Sequence, residues 1–380
     1  MLLFPHITQP GGALNYTVRL AGELRRSGAT VAILTLHADP EMVAPLEGLE
    51  VIALKGPVTS SMKYWLFFPF WQRKLEEKIT AWCPDVLVPQ VFPANWWGWI
   101  HKRKNPGTPV VWICQEPSAF IHSEAWIRAL SPWWKCLLAR LLRPALTRVD
   151  TSLARRSDAI IANSRFTAVE VERVYGRVPN AIASPGIDIP EQPNEVTRHP
   201  ATLITVARLT RFKRVDFLLQ IFRVLLGSYP DLRYIVVGTG EDEVRLKEYA
   251  AQLGIGHRVS FLGAVDDHLL ASLLREACLF LHGAVGEPFG LAPLEAVAAG
   301  MPVVAHNSGG ITEFIDPRCG ALIDSLDPGE WAVHAARLIN DFFSDADFRN
   351  GIQACALPYR WGKTLDPAIK TIFNAMERTE

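Results

Sequence analysis

The chain has 380 residues, 49% hydrophobic and 21% charged, which excludes a disordered protein and exceeds what one ordinary core accommodates. The formal net charge is zero, but it is unevenly spread: residues 1–190 carry 21 Lys and Arg against 15 Asp and Glu, and residues 191–380 carry 18 against 24. A basic half beside an acidic half fits two domains with different partners, the basic one suited to a polyphosphate, an anionic membrane surface or nucleic acid.

The first half alternates strand and helix. Met1–Ile7 is a short apolar run that ends at Pro10-Gly11-Gly12. Leu14–Ser27 follows with Leu14, Val18, Ala21 and Leu24 on one helical face, and Gly28 stops it. Thr30–Leu36, Asp85–Pro89, Pro109–Cys114 and Asp158–Asn163 read as further strands, the last after a long helical stretch that ends near Arg156. The second half restarts the pattern. Ala201–Ala207, Arg233–Val237, Val259–Leu262, Cys278–His282 and Pro302–His306 are strands; Val215–Leu226, Glu241–Leu253 and Leu291–Ala299 are helices. Alternation in both halves predicts an α/β protein of two doubly wound parallel sheets. Prolines at 185, 190 and 193 place the join near Gly186–Val196.

The cysteines at 83, 114, 136, 278, 319 and 355 show neither C-x-x-C nor ligand spacing. This speaks against a zinc site or a disulfide framework and for a reducing cytoplasm. No signal peptide and no transmembrane helix are expected.

Ligands of open parallel sheets bind at strand carboxyl ends, and two such sheets meeting edge to edge leave a cleft. At one strand end stands Glu287-Pro288-Phe289-Gly290-Leu291-Ala292-Pro293-Leu294-Glu295. The amides around Phe289, Gly290 and Leu291 open a helix and suit a diphosphate. A carboxylate accepts two hydrogen bonds from a vicinal diol, so Glu295 suits a ribose and Glu287 a sugar. The plainer reading is a loop acid and a helix-face acid. Arg208 and Lys213 follow another strand and suit a pyrophosphate leaving group, against the plainer reading of a solvated basic turn with Arg211 and Arg214. Gly11 and Gly12 let the backbone approach a ligand at a helix start, or simply form a turn. Gly238 and Gly240 form a tight turn.

The stretch E-P-F-G-L-A-P-L-E-A-V-A-A-G-M-P-V-V-A resembles the E-x7-E signature of glycosyltransferase family 4. V-A-R-L-T-R-F-K-R-V-D at 206–216 is similar to the family's strand-end Arg and Lys pair. V-S-F-L-G-A-V at 259–265, including Gly263, is similar to the strand that borders the nucleotide base, and S-G-G-I-T-E-F-I at 308–315 to the glycine turn after the next strand. S-D-A-I-I-A-N-S-R-F-T at 157–167 and P-G-I-D at 185–188 are similar to the last strand of the N-terminal domain and the link beyond it. The likeness is dense over 157–325 and thin over 1–156. It implies a GT-B architecture, two Rossmann-like domains facing across a cleft. Residues 1–188 are expected to form an acceptor domain, 189–358 a nucleotide-sugar domain, and 359–380 a helix returning to the first.

The resemblance implies a retaining transferase whose nucleotide-sugar donor meets Arg208, Lys213, Glu287, Glu295, Gly263 and the amides at Phe289, Gly290 and Leu291, with Gly11 and Gly12 as a glycine loop. Many members place a His after the strand matching Val110–Cys114; here Gln115 stands there, followed by Glu116. Gln115 can hydrogen-bond a sugar but cannot act as a base, whereas an inward Glu116 can. His282 reads as a packed histidine. With no Asp-x-Asp at a strand end, no metal and no other cofactor is expected. The basic segment 206–216 looks most like mannosyltransferase members, which leans the donor toward GDP-mannose.

Two segments of the basic half combine aromatics with Lys and Arg. Residues 60–79 hold Tyr64, Trp65, Phe67, Phe68, Phe70 and Trp71; residues 123–157 hold Trp126, Trp133 and Trp134, with seven basic residues against two acids. That composition suits peripheral contact with the inner face of a membrane, or equally a helix packed on its own sheet. No nucleic-acid reader motif occurs. A non-catalytic GT-B-shaped binding protein and an NAD-dependent oxidoreductase are the alternatives; neither glycine pair extends to G-x-G-x-x-G, which weighs against the latter.

Overall fold

The computed structural model describes residues 1–189 and 202–377, except Pro10, Pro45, Glu47, Ser60 and residues 123–132, of which Ile127 alone is described. The chain forms two compact units. Unit 1 is Met1–Gly186 with Trp361–Glu380, and unit 2 is Ile187–Arg360.

Unit 1 is built on strands β1 (Leu2–Leu3), β2 (Ala32–Thr35), β3 (Glu50–Ala53), β4 (Val88–Pro89), β5 (Val111–Cys114), β6 (Ala159–Ala162) and β7 (Ala181–Ile182). All pairings are parallel, in the order β3-β2-β1-β4 and β5-β6-β7, and a parallel bridge between Leu87 and Val110 joins the two sets. The run Met1–Ile7 is not one strand. Pro5 has no N–H to donate, so the chain breaks there, and His6–Ile7 pairs separately with His37–Ala38. Alternate residues point to opposite faces. Leu2, Ile33, Val88 and Val111 pack with helices α1 (Gly12–Arg26) and, at the chain's end, Trp361–Glu377. Leu3, Leu34, Leu87 and Trp112 pack on the other face with α2 (Phe68–Trp82), α3 (Ala94–Lys104), α4 (Trp133–Ala154) and α5 (Arg165–Tyr175).

Unit 2 repeats the plan with β8 (Thr202–Val206), β9 (Arg233–Val237), β10 (Val259–Gly263), β11 (Leu279–His282), β12 (Val303–His306) and β13 (Gly320–Ile323), in the parallel order β10-β9-β8-β11-β12-β13. Leu203 and Leu281 face α6 (Val215–Leu225) and α7 (Pro328–Ser344), whereas Ile204 and Phe280 face the helix Leu291–Ala298. In each unit the winding reverses beside the first strand, between β1 and β4 and between β8 and β11, where open α/β sheets bind their ligands. Asp316, Cys319 and Cys355 come together, their ligand atoms within 4.8 Å, although they are scattered in sequence. The Arg318 guanidinium occupies Asp316. No described helix is long and apolar enough to cross a membrane.

One buried carboxylate organises the helical face of unit 1. Asp150 on α4 accepts from Trp96 Nε1 at 2.8 Å and Ser118 Oγ at 3.2 Å on one oxygen, and from Tyr175 OH at 2.9 Å on the other, which also meets His122 Nε2 at 2.8 Å. It ties α3, α4, α5 and the segment after β5 together. Removing it strands several buried donors at once. Asp150→Ala is expected to destabilise unit 1 by about 3 kcal/mol, measured by urea unfolding with a probe on that unit.

Candidate active site

Three elements meet at the switch point of unit 2. After β8 the chain runs through Arg208 into a tight turn, Arg211–Lys213. The turn's cations divide their work. Arg211 reaches toward Asp242, and Arg214 lies 5.0 Å over the Phe217 ring, so both serve the turn itself. Arg208 is exposed just past the strand. Lys213 turns inward, its Nζ 2.5 Å from Glu287 Oε1.

Glu287 sits in the loop between β11 and α8 (Leu291–Ala298). Its second oxygen lies 2.8 Å from Nε2 of His282, the last residue of β11. Burial alone pushes the Glu287 carboxyl up, but His282 and Lys213 together outweigh it and hold the group well below the usual carboxylate range. Glu287 is therefore a fixed anion held between Lys213 and His282. His282 is buried, as the sequence suggests, yet it does more than fill space. The sequence holds no signal for that contact, because the loop geometry brings it about.

The loop is seated from the neighbouring strand. Gly310 N donates to Glu287 O at 2.8 Å, and Gly286 N donates to Ser308 Oγ at 2.9 Å. A Cβ on Gly310 would lie 2.3 Å from Pro288 O, and one on Gly309 2.3 Å from Glu287 O, with Gly309 at φ +84°. The two glycines are required because only bare backbone fits beneath the loop.

Gly290, at φ 99°, caps α8. Phe289 points into the core against Phe314 and Tyr359, so only its backbone faces the loop. The first-turn amides of Leu291 and Ala292 have no acceptor within the helix, and Pro293 has no N–H to satisfy. Glu295 follows in the second turn, half-buried. Burial, with Asp267 adding to it, pushes its carboxyl up to about 7. Glu287 and Glu295 are thus opposite in kind: one a pinned anion, the other a group that titrates near neutrality. Gly263 ends β10, two strands from the switch point, where its carbonyl accepts from Gly238 N at 2.8 Å.

In unit 1, Gly11 is the N-cap of α1 and both Gly11 and Gly12 are exposed. A side chain on Gly11 would meet nothing within 4 Å, so packing does not demand glycine there. Gln115 follows β5 and is buried. Its Oε1 accepts from Asn163 Nδ2 at 3.1 Å, and its Nε2 lies 3.5 Å from Gln90 Oε1, which Thr17 Oγ1 also meets at 2.9 Å. The sequence reading missed Gln90 and Asn163, which follow the ends of β4 and β6. Glu116 is exposed, so it is Gln115 and not the acid that points inward.

Comparison with known proteins decides the family. The model described as "Glycosyl transferases group 1" matches residues 188–353, and "Glycosyltransferase Family 4" matches residues 10–191. A D-inositol 3-phosphate glycosyltransferase of Corynebacterium urealyticum is 31% identical over 365 residues, 88% of this chain and 84% of the relative. The chain belongs to the family 4 glycosyltransferases. It is a glycosyltransferase that uses a nucleotide sugar, which displaces the oxidoreductase alternative. The GT-B fold is shared with Anabaena HepE, solved with UDP and glucose, at TM-score 0.75 and 20% identity over 98% of each chain. It is shared also with WaaG, a glycosyltransferase involved in lipopolysaccharide biosynthesis, at TM-score 0.73 and 17% identity over 98% of each chain.

The raised Glu295 carboxyl has a cost that depends on pH. Its ordinary value is 4.5, so between that and about 7 the folded state keeps a proton that the unfolded state releases. Stability is therefore lost as pH rises through this window, and the loss is complete above it. Glu295→Gln is expected to raise stability by about 1 to 3 kcal/mol at pH 8 and to leave it unchanged near pH 4. Urea unfolding at the two pH values measures the difference.

Proposed function

We propose that this transferase moves a hexose with retention of configuration, from a nucleoside diphosphate sugar to a saccharide or lipid-linked saccharide, at the inner face of a membrane. The observation that carries the donor assignment is the Glu287 carboxylate pinned between Lys213 and His282 at the switch point of unit 2. A fixed anion accepts both hydroxyl hydrogens of a sugar diol without reorganising. Lys213, already beside it, also serves the diphosphate together with exposed Arg208 and the first-turn amides of α8. Glu295 takes the ribose.

In unit 1, Gly11 and Gly12 leave the main chain open at the start of α1, and Gln115 holds its carboxamide in a buried set with Asn163. Gln115 cannot take a proton from the acceptor, and Glu116 is exposed. This supports a front-face reaction, in which the acceptor oxygen bonds to the anomeric carbon as the bond to phosphate breaks. The departing phosphate oxygen takes the acceptor's proton. Arg208 and Lys213 offset the charge that develops on that phosphate. The donor we propose is GDP-mannose, on the likeness of residues 206–216 to mannosyltransferase members.

The assignment is tested by nucleotide binding. Glu295→Ala is expected to weaken GDP affinity about tenfold and Glu287→Ala about threefold or less, because ribose is present in donor and product alike whereas the sugar is not. Calorimetric titration of both variants measures this, and equal losses would overturn the two roles.

Phosphate charge met by side-chain cations and helix amides needs no metal. Transfer from GDP-mannose is accordingly expected to persist in EDTA. Abolition by EDTA with recovery on adding Mg²⁺ or Mn²⁺ would assign the diphosphate to a metal instead.

A further inference from the structure

Most of the aromatic wealth of unit 1 is interior. Trp97, Trp99, Trp112 and Tyr64 are fully buried, and Trp71 is half-buried, so these cannot meet a membrane. The remainder is not interior. Helix α4 is held to the unit by Asp150 and by Leu146 and Leu153, which pack on the core. Its other side carries Trp133, Trp134, Leu137, Leu138, Leu141 and Leu142, all exposed, with Trp133 at 76% and Leu141 at 70%. Their spacing of three and four residues gathers them on one side of the helix. An uninterrupted apolar stripe of this kind on a soluble surface marks a contact.

The charge around the stripe identifies what it contacts. Residues 133–149 contain Lys135, Arg140, Arg143 and Arg148 and no acid. Trp126 and the rest of 123–132 lie outside the described residues. A second apolar group, Met62, Leu66, Phe67 and Phe70, is exposed around the break between the helix Met62–Leu66 and α2, with Leu66 at 70%. Lys63, Arg73 and Lys74 accompany it, exposed. The two groups belong to one scaffold: Trp65 meets the Trp96 ring at 6.3 Å, and Trp96 donates to Asp150 on α4. A protein partner could cover apolar surface without basic residues, and nucleic acid would bind basic residues without exposed leucines. Both together fit one occupant.

We infer that the exposed face of α4, with the Met62–Phe70 segment beside it, docks unit 1 on an anionic lipid bilayer. The leucines and tryptophans enter the headgroup region while Arg140 and Arg148 meet acidic headgroups. This deepens the membrane setting proposed above, and its test involves no transfer reaction.

The full chain is floated through a density gradient with vesicles of phosphatidylglycerol mixed with phosphatidylcholine, or of phosphatidylcholine alone. It is expected to rise with the anionic vesicles only, and binding is expected to fall at least tenfold from low salt to about 0.5 M, as screening shortens the reach of the charges. Trp133→Ser with Leu141→Ser is expected to lower anionic-vesicle binding at least tenfold, and Arg140→Glu with Arg148→Glu to do the same. Unchanged thermal melting and GDP affinity in both variants show that each is folded. No flotation with anionic vesicles, equal flotation with neutral ones, or variants that bind as the parent does would each overturn the proposal. So would a concentration-dependent dimer abolished by the serine pair, which would assign the face to a second copy. Vesicle binding without transfer of sugar would sink the enzymatic reading and leave this one; transfer without vesicle binding would do the reverse.

Discussion

A carboxylate that leaves water must find positive charge close by, and in unit 2 that requirement falls on Glu287. Its two partners come from different strand ends, Lys213 after β8 and His282 at the end of β11. These strands are neighbours only because the winding reverses between them. The charge balance therefore depends on the topology. The topology in turn demands a loop that reaches back over the sheet edge, seated on the bare backbone of Gly309 and Gly310. Altering any of these parts leaves an anion without its partners or a loop without its seat.

The two units reach the same strand order with different chemistry at the strand ends. Unit 2 ends its strands in ions, Arg208, Lys213 and Glu287, with His282 beside the last. Unit 1 ends β4, β5 and β6 in amides, Gln90, Gln115 and Asn163, linked through Gln115. Ions suit a diphosphate and its leaving charge, whereas amides donate and accept without committing to a charge, as neutral hydroxyls require. Gln115 fits this neutral set, since a protonatable group there would break it.

How much of this was legible in the sequence follows from the range of the interactions. The strands were readable because both faces of each sheet are buried, which turns them into apolar runs. The E-x7-E segment was readable because loop, cap and helix are contiguous in the chain. The Lys213–Glu287 pair spans 74 positions, and nothing local announces it. His282 is packed, as its place in the strand implies, but its contact with Glu287 is not legible there, because burial and partnership look alike until the loop is placed. In residues 60–79 the helix breaks at Phe67 and restarts, which resets the 3.6-residue phase. Composition therefore could not separate the interior Tyr64 from the exposed Leu66. In α4 no such break intervenes before Pro144, and spacing alone carries the exposed face.

Unit 2 is an uninterrupted stretch whose ends meet: Ile187 N donates to Tyr359 O at 2.7 Å, and Ile187 bridges Arg360. Unit 1 is not continuous, because Trp361, Leu365, Ala368 and Ile372 belong to its core. On the ribosome this inverts the usual order, in which the segment made first matures first. Unit 2 has everything it needs once Arg360 has emerged. Unit 1, although most of it is synthesised earlier, must wait with part of one sheet face uncovered until the helix Trp361–Glu377 leaves the exit tunnel. Losing the helix Trp361–Glu377 would leave unit 2 complete and unit 1 without the lid of its core.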